Sequence, residues 1–120
     1  MEKKREERDM ESITGICVIL STVPPAKSAE IARSLIDRHL VACVNMVPVR
    51  SWYSWKGEFC DDGEHLLIAK TEKALAGEVI RAIRELHPYE VPEIIELPVT
   101  GGYLPYLEWV HQETREKREA

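Results

Sequence analysis

The segment His87-Pro88-Tyr89-Glu90-Val91-Pro92-Glu93 gathers an imidazole, a phenol and two carboxylates on a backbone stiffened by two prolines. Groups of these types can ligate a divalent cation, hydrogen-bond a polar ligand or move a proton. Each proline fixes its own φ and pushes the preceding residue toward extended backbone, so a helix has to stop at His87. The β-branched run from Glu93 to Val99 then predicts a strand. The polar groups therefore fall on a helix-to-strand connection, where binding groups are commonly mounted on a rigid scaffold.

Other chemically capable side chains are scattered along the chain. Lys70 follows the apolar run Leu66-Leu67-Ile68-Ala69, and a buried lysine there calls for an acidic partner, which Glu93 or Glu64 could supply. Lys70, His87 and Glu93 would then line a cleft between subunits that receives an anionic or small polar ligand; the competing use of Lys70 is an interface ion pair. Tyr53 and Trp55, with Trp52 beside them, can stack a ligand or anchor an interface. Cys43 falls on a strand where a small buried hydrophobe is the ordinary finding; as a metal ligand it would join His87 and Glu90. Imidazole and carboxylate suit copper, zinc or nickel. One histidine with one acid falls short of the four ligands of a structural zinc site, so neighbouring chains would have to complete it. The other use of His87 is to cap its helix C-terminus. Cys60, beside Asp61-Asp62-Gly63, is the thiol expected to be most exposed. His39 and His65 are expected at a surface or interface, and His111 has no evident partner in the sequence.

These side chains need elements to position them. Gly15 to Val23 is a continuous apolar run, as for a central strand covered on both faces, and Pro24-Pro25 ends it. Ala29, Ala32, Leu35, Ile36 and Leu40 recur at three- and four-residue spacing and predict a helix over 26–40. Val41 to Trp55, disturbed at Pro48, reads as a second strand. Lys56-Gly57-Glu58 turns the chain, and Glu64 to Thr71 returns to complete a long hairpin. Thr71 is placed to cap the next helix, whose apolar stripe is Leu75, Val79, Ile80, Ile83 and Leu86. After the fourth strand, Thr100-Gly101-Gly102 turns into a last helix from Tyr103 to about Glu116, with Tyr103, Leu107 and Val110 on one side. The order βαββαβ predicts an α+β, ferredoxin-like sandwich with an additional C-terminal helix. In that topology the second strand lies at an edge, yet Ala42, Val44 and Met46 alternate with Cys43 and Val47, so both of its faces are apolar. Such an edge invites pairing with another chain, and the hairpin carrying Trp52, Tyr53 and Trp55 is expected to bury itself against a neighbouring subunit.

At 120 residues the chain suits a single domain over 13–115, flanked by a charged N-terminal extension over 1–12, expected to be flexible, and a charged tail over 116–120. The balance of 16 basic against 21 acidic residues, net charge -5, argues against a nucleic-acid partner. No apolar run approaches the ~20 residues that cross a bilayer, and the first twelve residues lack the apolar centre of a signal peptide. Three cysteines without a CxxC pair indicate neither a disulfide framework nor a zinc knuckle, which leaves reduced thiols in the cytoplasm as the simplest expectation.

Taken together and in order, Leu40-Val41-Ala42-Cys43-Val44-Asn45, Ser51-Trp52-Tyr53-Ser54-Trp55-Lys56-Gly57, Lys70-Thr71 and the His87 to Glu93 segment resemble the CutA divalent-cation tolerance proteins, over about Cys17 to Val110. The resemblance implies a trimer of ferredoxin-like subunits, similar in architecture to the PII signalling proteins, with strand pairing and clefts between subunits. It also implies a role in tolerance to divalent metals, copper above all, with no established reaction. Residue by residue, His87 matches the family's His-Pro-Tyr motif, Cys43 its strand-two cysteine, and Lys70, Tyr89 and Glu93 its polar cleft positions. Ser21 stands where some members carry cysteine and Leu86 where some carry a second histidine, which removes two of the better ligands for soft or borderline metals. The expected function is a non-enzymatic, homotrimeric, cytoplasmic protein that binds divalent metal ions weakly, copper or zinc among them, with no obligatory cofactor. The alternative is a PII-like regulatory trimer that senses a small ligand in its intersubunit clefts. An enzyme using His87 as base with Tyr89 and Glu93 ranks last, because no nucleophile stands near His87 in sequence.

Overall fold

The computed structural model describes residues 13–116, so the expected extension over 1–12 and most of the expected tail over 116–120 lie outside the described residues. The elements are β1 (Ile16–Val23), α1 (Pro25–Asp37), β2 (Cys43–Trp55), β3 (Glu58–Glu72), a 3-10 turn (Lys73–Leu75), α2 (Ala76–Leu86), β4 (Ile94–Pro98) and α3 (Leu104–His111), which widens into a π turn over Gln112–Glu116. The sheet order is β2-β3-β1-β4, with every neighbouring pair antiparallel. This is the ferredoxin-like arrangement, with β2 at one edge.

Strand parity decides what is covered. In β1 the odd residues Cys17, Ile19 and Val23 are buried beneath the two helices, opposite Thr71, Ala69 and His65 of β3. Helix α1 turns Ser28, Ile31 and Leu35 inward, and α2 turns Ala76, Val79, Ala82 and Ile83. The α1 stripe thus differs from the one expected: Ala29 and Ile36 face solvent, while Ser28 is buried. The polar Ser28 is tolerated because its Oγ donates to the Pro25 carbonyl and lies 2.8 Å from the His65 ring Nδ1.

Helix α1 also ends earlier than its apolar spacing suggests. His39 adopts φ 54, and the amides of His39 and Leu40 bond back to the carbonyls of Ile36 and Leu35 at 3.0 and 3.1 Å. That pair of bonds is a Schellman motif, closed by burial of Leu40, with histidine in the left-handed position that glycine usually fills. Thr71 is not a helix cap. It belongs to β3, is fully buried, and donates its Oγ1 to the Leu40 carbonyl at 2.6 Å, tying the α1–β2 connection to the central sheet.

The hairpin is longer than expected. β2 and β3 pair continuously from Cys43↔Lys70 to Trp55↔Glu58, with Pro48 accommodated opposite His65 because β2 is an edge strand. Lys56 and Gly57, at φ 51 and 81, form the two-residue turn. β1 pairs with β3 only as far as His65, so 49–64 runs on as a two-stranded ribbon beyond the body of the sheet.

At the other end, α3 covers one end of the second face of the sheet. Val110 and Thr114 are fully buried, and Glu72, 2% exposed, accepts hydrogen bonds from His111 Nδ1 and Thr114 Oγ1 at 3.1 and 3.2 Å. The partner that His111 lacks in the sequence is therefore a glutamate at the end of β3. Tyr103, expected on the buried side of this helix, is 76% exposed because the helix begins one residue later.

Two measurements check this packing. Thr71→Val should destabilise the domain by about 1–2 kcal/mol in urea denaturation, with Thr71→Ser recovering most of it, because the buried Leu40 carbonyl loses its hydroxyl donor. The Cys17 thiol is pushed up to about 11 by burial, reinforced by Glu96, so it stays protonated at pH 8. A maleimide at that pH should spare Cys17 in the folded chain and label it only after denaturation.

Candidate functional site

His87 ends α2 with extended backbone, φ -81 and ψ 130, as the following proline demands. Its ring is 7% exposed and both nitrogens are engaged: Nε2 lies 2.8 Å from the Thr22 carbonyl, and Nδ1 accepts the Tyr89 amide at 3.3 Å. These partners place the ring proton on Nε2. The Tyr89 ring packs against the imidazole at 4.7 Å between centroids, and its hydroxyl donates to Glu64 Oε2 at 2.9 Å. Burial, helped by that bond to Glu64, pushes the Tyr89 phenol up to about 12, so it remains a donor at neutral pH. The proline-stiffened loop is thus latched to β1 through His87 and to β3 through Tyr89.

This latch closes one side of a pocket of about 690 Å³. The ribbon supplies Arg50, Ser51, Trp52, Tyr53 and Trp55; the sheet supplies Thr22 and Glu64; the loop supplies Tyr89, Glu90, Val91 and Glu93. Tyr53 donates to Asp62, and that hydrogen bond raises its phenol well above the usual range. Arg50 is paired with Asp61 at 2.8 Å, and Lys56 reaches Glu90 at 3.6 Å while lying over the Trp55 ring. Of the candidates named from sequence, Tyr53, Trp55, Tyr89, Glu90 and Glu93 meet here. Sequence reasoning missed Glu64 as part of this wall, having read it only as a counter-ion for Lys70. Strand arithmetic would have found it: Glu64 and Lys70 share a face of β3 but lie six residues, roughly 20 Å, apart.

Lys70 and Cys43 sit elsewhere. They are paired across β2 and β3, with Lys70 Nζ 4.0 Å from the Cys43 sulfur, and neither Glu93 nor Glu64 pairs with Lys70. Tyr106 of α3 lies beside Cys43, and burial raises its phenol, with Cys43 adding to the shift. The row of the sheet holding Cys43 and Val18 is four residues along β1 from Thr22, where His87 is held, roughly 13 Å away. His87, Cys43 and Glu90 are therefore not brought together within one chain. Among the described residues no three His, Cys, Asp or Glu side chains gather to hold a metal ion. A metal at His87 would also have to displace the Thr22 or Tyr89 bond.

Comparison with known proteins places this geometry. The chain is 47% identical over 95 residues to Protein CutA of Mus musculus, covering 78% of this chain and 54% of that protein. It is 42% identical to the divalent-cation tolerance protein CutA of Thermus thermophilus, covering 81% and 96%. The chain spans about half the length of the mouse and human relatives. Among solved structures, CutA1 from Oryza sativa superposes with a TM-score of 0.80 at 43% identity, covering 84% of this chain and 94% of that one. The PII-like protein CutA from a Nostoc species gives 0.79 at 40% identity, covering 82% and 96%. The model of the CutA1 divalent ion tolerance protein family matches residues 17–113, and the chain belongs to that family.

Proposed function

We propose that the protein is a non-enzymatic homotrimer that contributes to divalent-cation tolerance, with any metal site completed between copies. The observation that carries this reading is an apolar stretch of the second sheet face, beyond the end packed by α3, that no described residue covers. Val47, Ile95 and Leu97 are 42%, 45% and 44% exposed on the face opposite the helices, beside half-buried Leu20, Leu66 and Ile68. The ribbon has the same problem: Phe59 is 76% exposed on a two-stranded hairpin, a structure marginal in water by itself. Pairing of β2 edges and apposition of these faces would bury both. Copies meeting in this way could bring together ligands such as Cys43, His87 and Glu90, which one chain keeps apart. We propose copper or zinc as the ion, held weakly and not as an obligatory cofactor. The proposed setting is the cytoplasm, in keeping with three free thiols and with no helix among the described residues long and apolar enough to cross a membrane.

A second reading, a PII-like sensor, is favoured by a different observation. The pocket beside Glu64 is sized for a small metabolite, within the ~300–1,000 Å³ typical of such sites, and far exceeds a bare ion. The third reading, an enzyme with His87 as base, gains no support, since both ring nitrogens are spent on the backbone.

Sedimentation equilibrium should give three times the 13.8 kDa chain mass. Ile95→Glu, a charge placed on the open face where a lone chain tolerates it, should yield a folded but dissociated protein; a folded wild-type monomer would sink the assembly. Titration calorimetry with copper should show weak binding to the trimer, at least tenfold weaker or lost in the Ile95→Glu monomer. Equal binding by both would place the metal within one chain and overturn the shared site.

A further inference from the structure

Glu64 is the unusual group of the pocket. It is 4% exposed, yet among the described residues its carboxylate has one hydrogen-bonding partner, the neutral phenol of Tyr89, and no ion pair reaches it. A carboxylate so far from water calls for a countercharge. The one basic side chain in the pocket wall, Arg50, is held by Asp61. Glu90 and Glu93 add two further carboxylates to the wall. A nucleotide or other polyanion would face three like charges here.

The rest of the wall is aromatic. Trp52, Tyr53, Trp55 and Tyr89 all line the cavity, and each keeps more than a third of its surface exposed. Aromatic faces attract cations, most strongly where water is partly excluded. Among the described residues these carboxylates do not gather into a group that could hold a divalent metal ion, and such an ion would leave the aromatic faces unused. The chain also contains an example of the chemistry: the Lys56 ammonium lies 5.6 Å from the Trp55 ring centroid and 3.6 Å from Glu90. Lys56 holds at the rim what the deeper floor lacks.

We infer that this pocket binds a compact organic cation, an alkylammonium compound, with Glu64 as the countercharge and the Trp52, Tyr53, Trp55 and Tyr89 faces around it. The inference rests on the second reading above, a cleft that stays open to small ligands in the assembled protein. Lys56, sharing Trp55 and Glu90 with the incoming ligand, acts as a built-in competitor at the mouth.

The test uses the full chain, with tryptophan fluorescence and amide NMR shifts as readouts. Its probes are choline, the carbon isostere of choline that lacks the charge, ATP and zinc. Choline should saturate a response at Trp52 and Trp55, and the uncharged isostere should bind at least about tenfold more weakly. Glu64→Gln should weaken choline about tenfold or more. Lys56→Asn should tighten it several-fold, asparagine being tolerant of the left-handed backbone at this turn. Equal binding of choline and its isostere overturns the inference, as does a folded Glu64→Gln protein that binds like wild type. Should Glu64→Gln unfold or dissociate, unchanged choline affinity in Lys56→Asn overturns it instead. If the isostere or ATP fills the cleft and choline does not, the cleft reading survives and the organic-cation assignment fails. If no probe perturbs either tryptophan, a neighbouring copy already occupies the space and both readings fall.

Discussion

Strands β1 and β3 carry apolar side chains on both parities, and two helices can cover only one of the faces they create. That mismatch governs the molecule. Cys17, Ile19, Val23, Leu67 and Ala69 are sealed under α1 and α2, while Leu20, Leu66 and Ile68 remain half-buried on the other side. The short helix α3 solves the problem at one end only, where Val110 and Thr114 are buried and Thr114 bonds to Glu72. Hydrophobic burial is worth of the order of 25 cal/mol per Å², so covering the remainder, as the proposed assembly would, adds stability in proportion to the area covered.

The loop from His87 to Glu93 shows how a chain can make a rigid site without regular structure. Prolines remove conformational freedom before folding, so less entropy is lost when the loop docks. Two side chains then fix its position: His87 on the Thr22 carbonyl of β1, and Tyr89 on Glu64 of β3. The hydrogen bond to a buried carboxylate is of the stronger class, about 1.5–3 kcal/mol. The residues that most resemble a catalytic or metal-binding set are, within one chain, the fastenings of the loop. One wall of the pocket is what they hold in place.

Much of this was available from the sequence, for identifiable reasons. Strand and helix order followed from β-branched runs and 3.6-residue spacing, and the edge position of β2 followed from topology. Pro88 and Pro92 marked the loop correctly, and the α2 stripe through Val79 and Ile83 is the buried one. Several of the failures share one cause: a residue's use depended on a distant partner. Ser28 has no place in the apolar spacing of α1, yet it is buried with His65 beside its hydroxyl; Thr71 looked like a cap, but Leu40 claims its hydroxyl. His111 looked idle because Glu72 is thirty-nine residues away. Lys70 and Glu64 looked like an ion pair until the rise of the strand set them apart. Local pattern predicts elements well because their periodicity is local. It says little about which side chains meet across a sheet.

The pocket draws its three walls from parts that are ordered for different reasons. The floor at Thr22 and Glu64 belongs to the folded sheet and is fixed by the core. The loop wall is fixed by prolines and the His87–Tyr89 latch. The ribbon wall, with Trp52, Tyr53 and Trp55, has no body of its own to lie on and depends on whatever meets its exposed faces. Anything that fills the pocket must touch that third wall, so its binding energy is coupled to the order of the ribbon. By linkage, whatever orders the ribbon strengthens binding in the pocket by the same factor. Were copies to pair through β2 as proposed, that contact and any occupant of the pocket would act on one element, and each would strengthen the other.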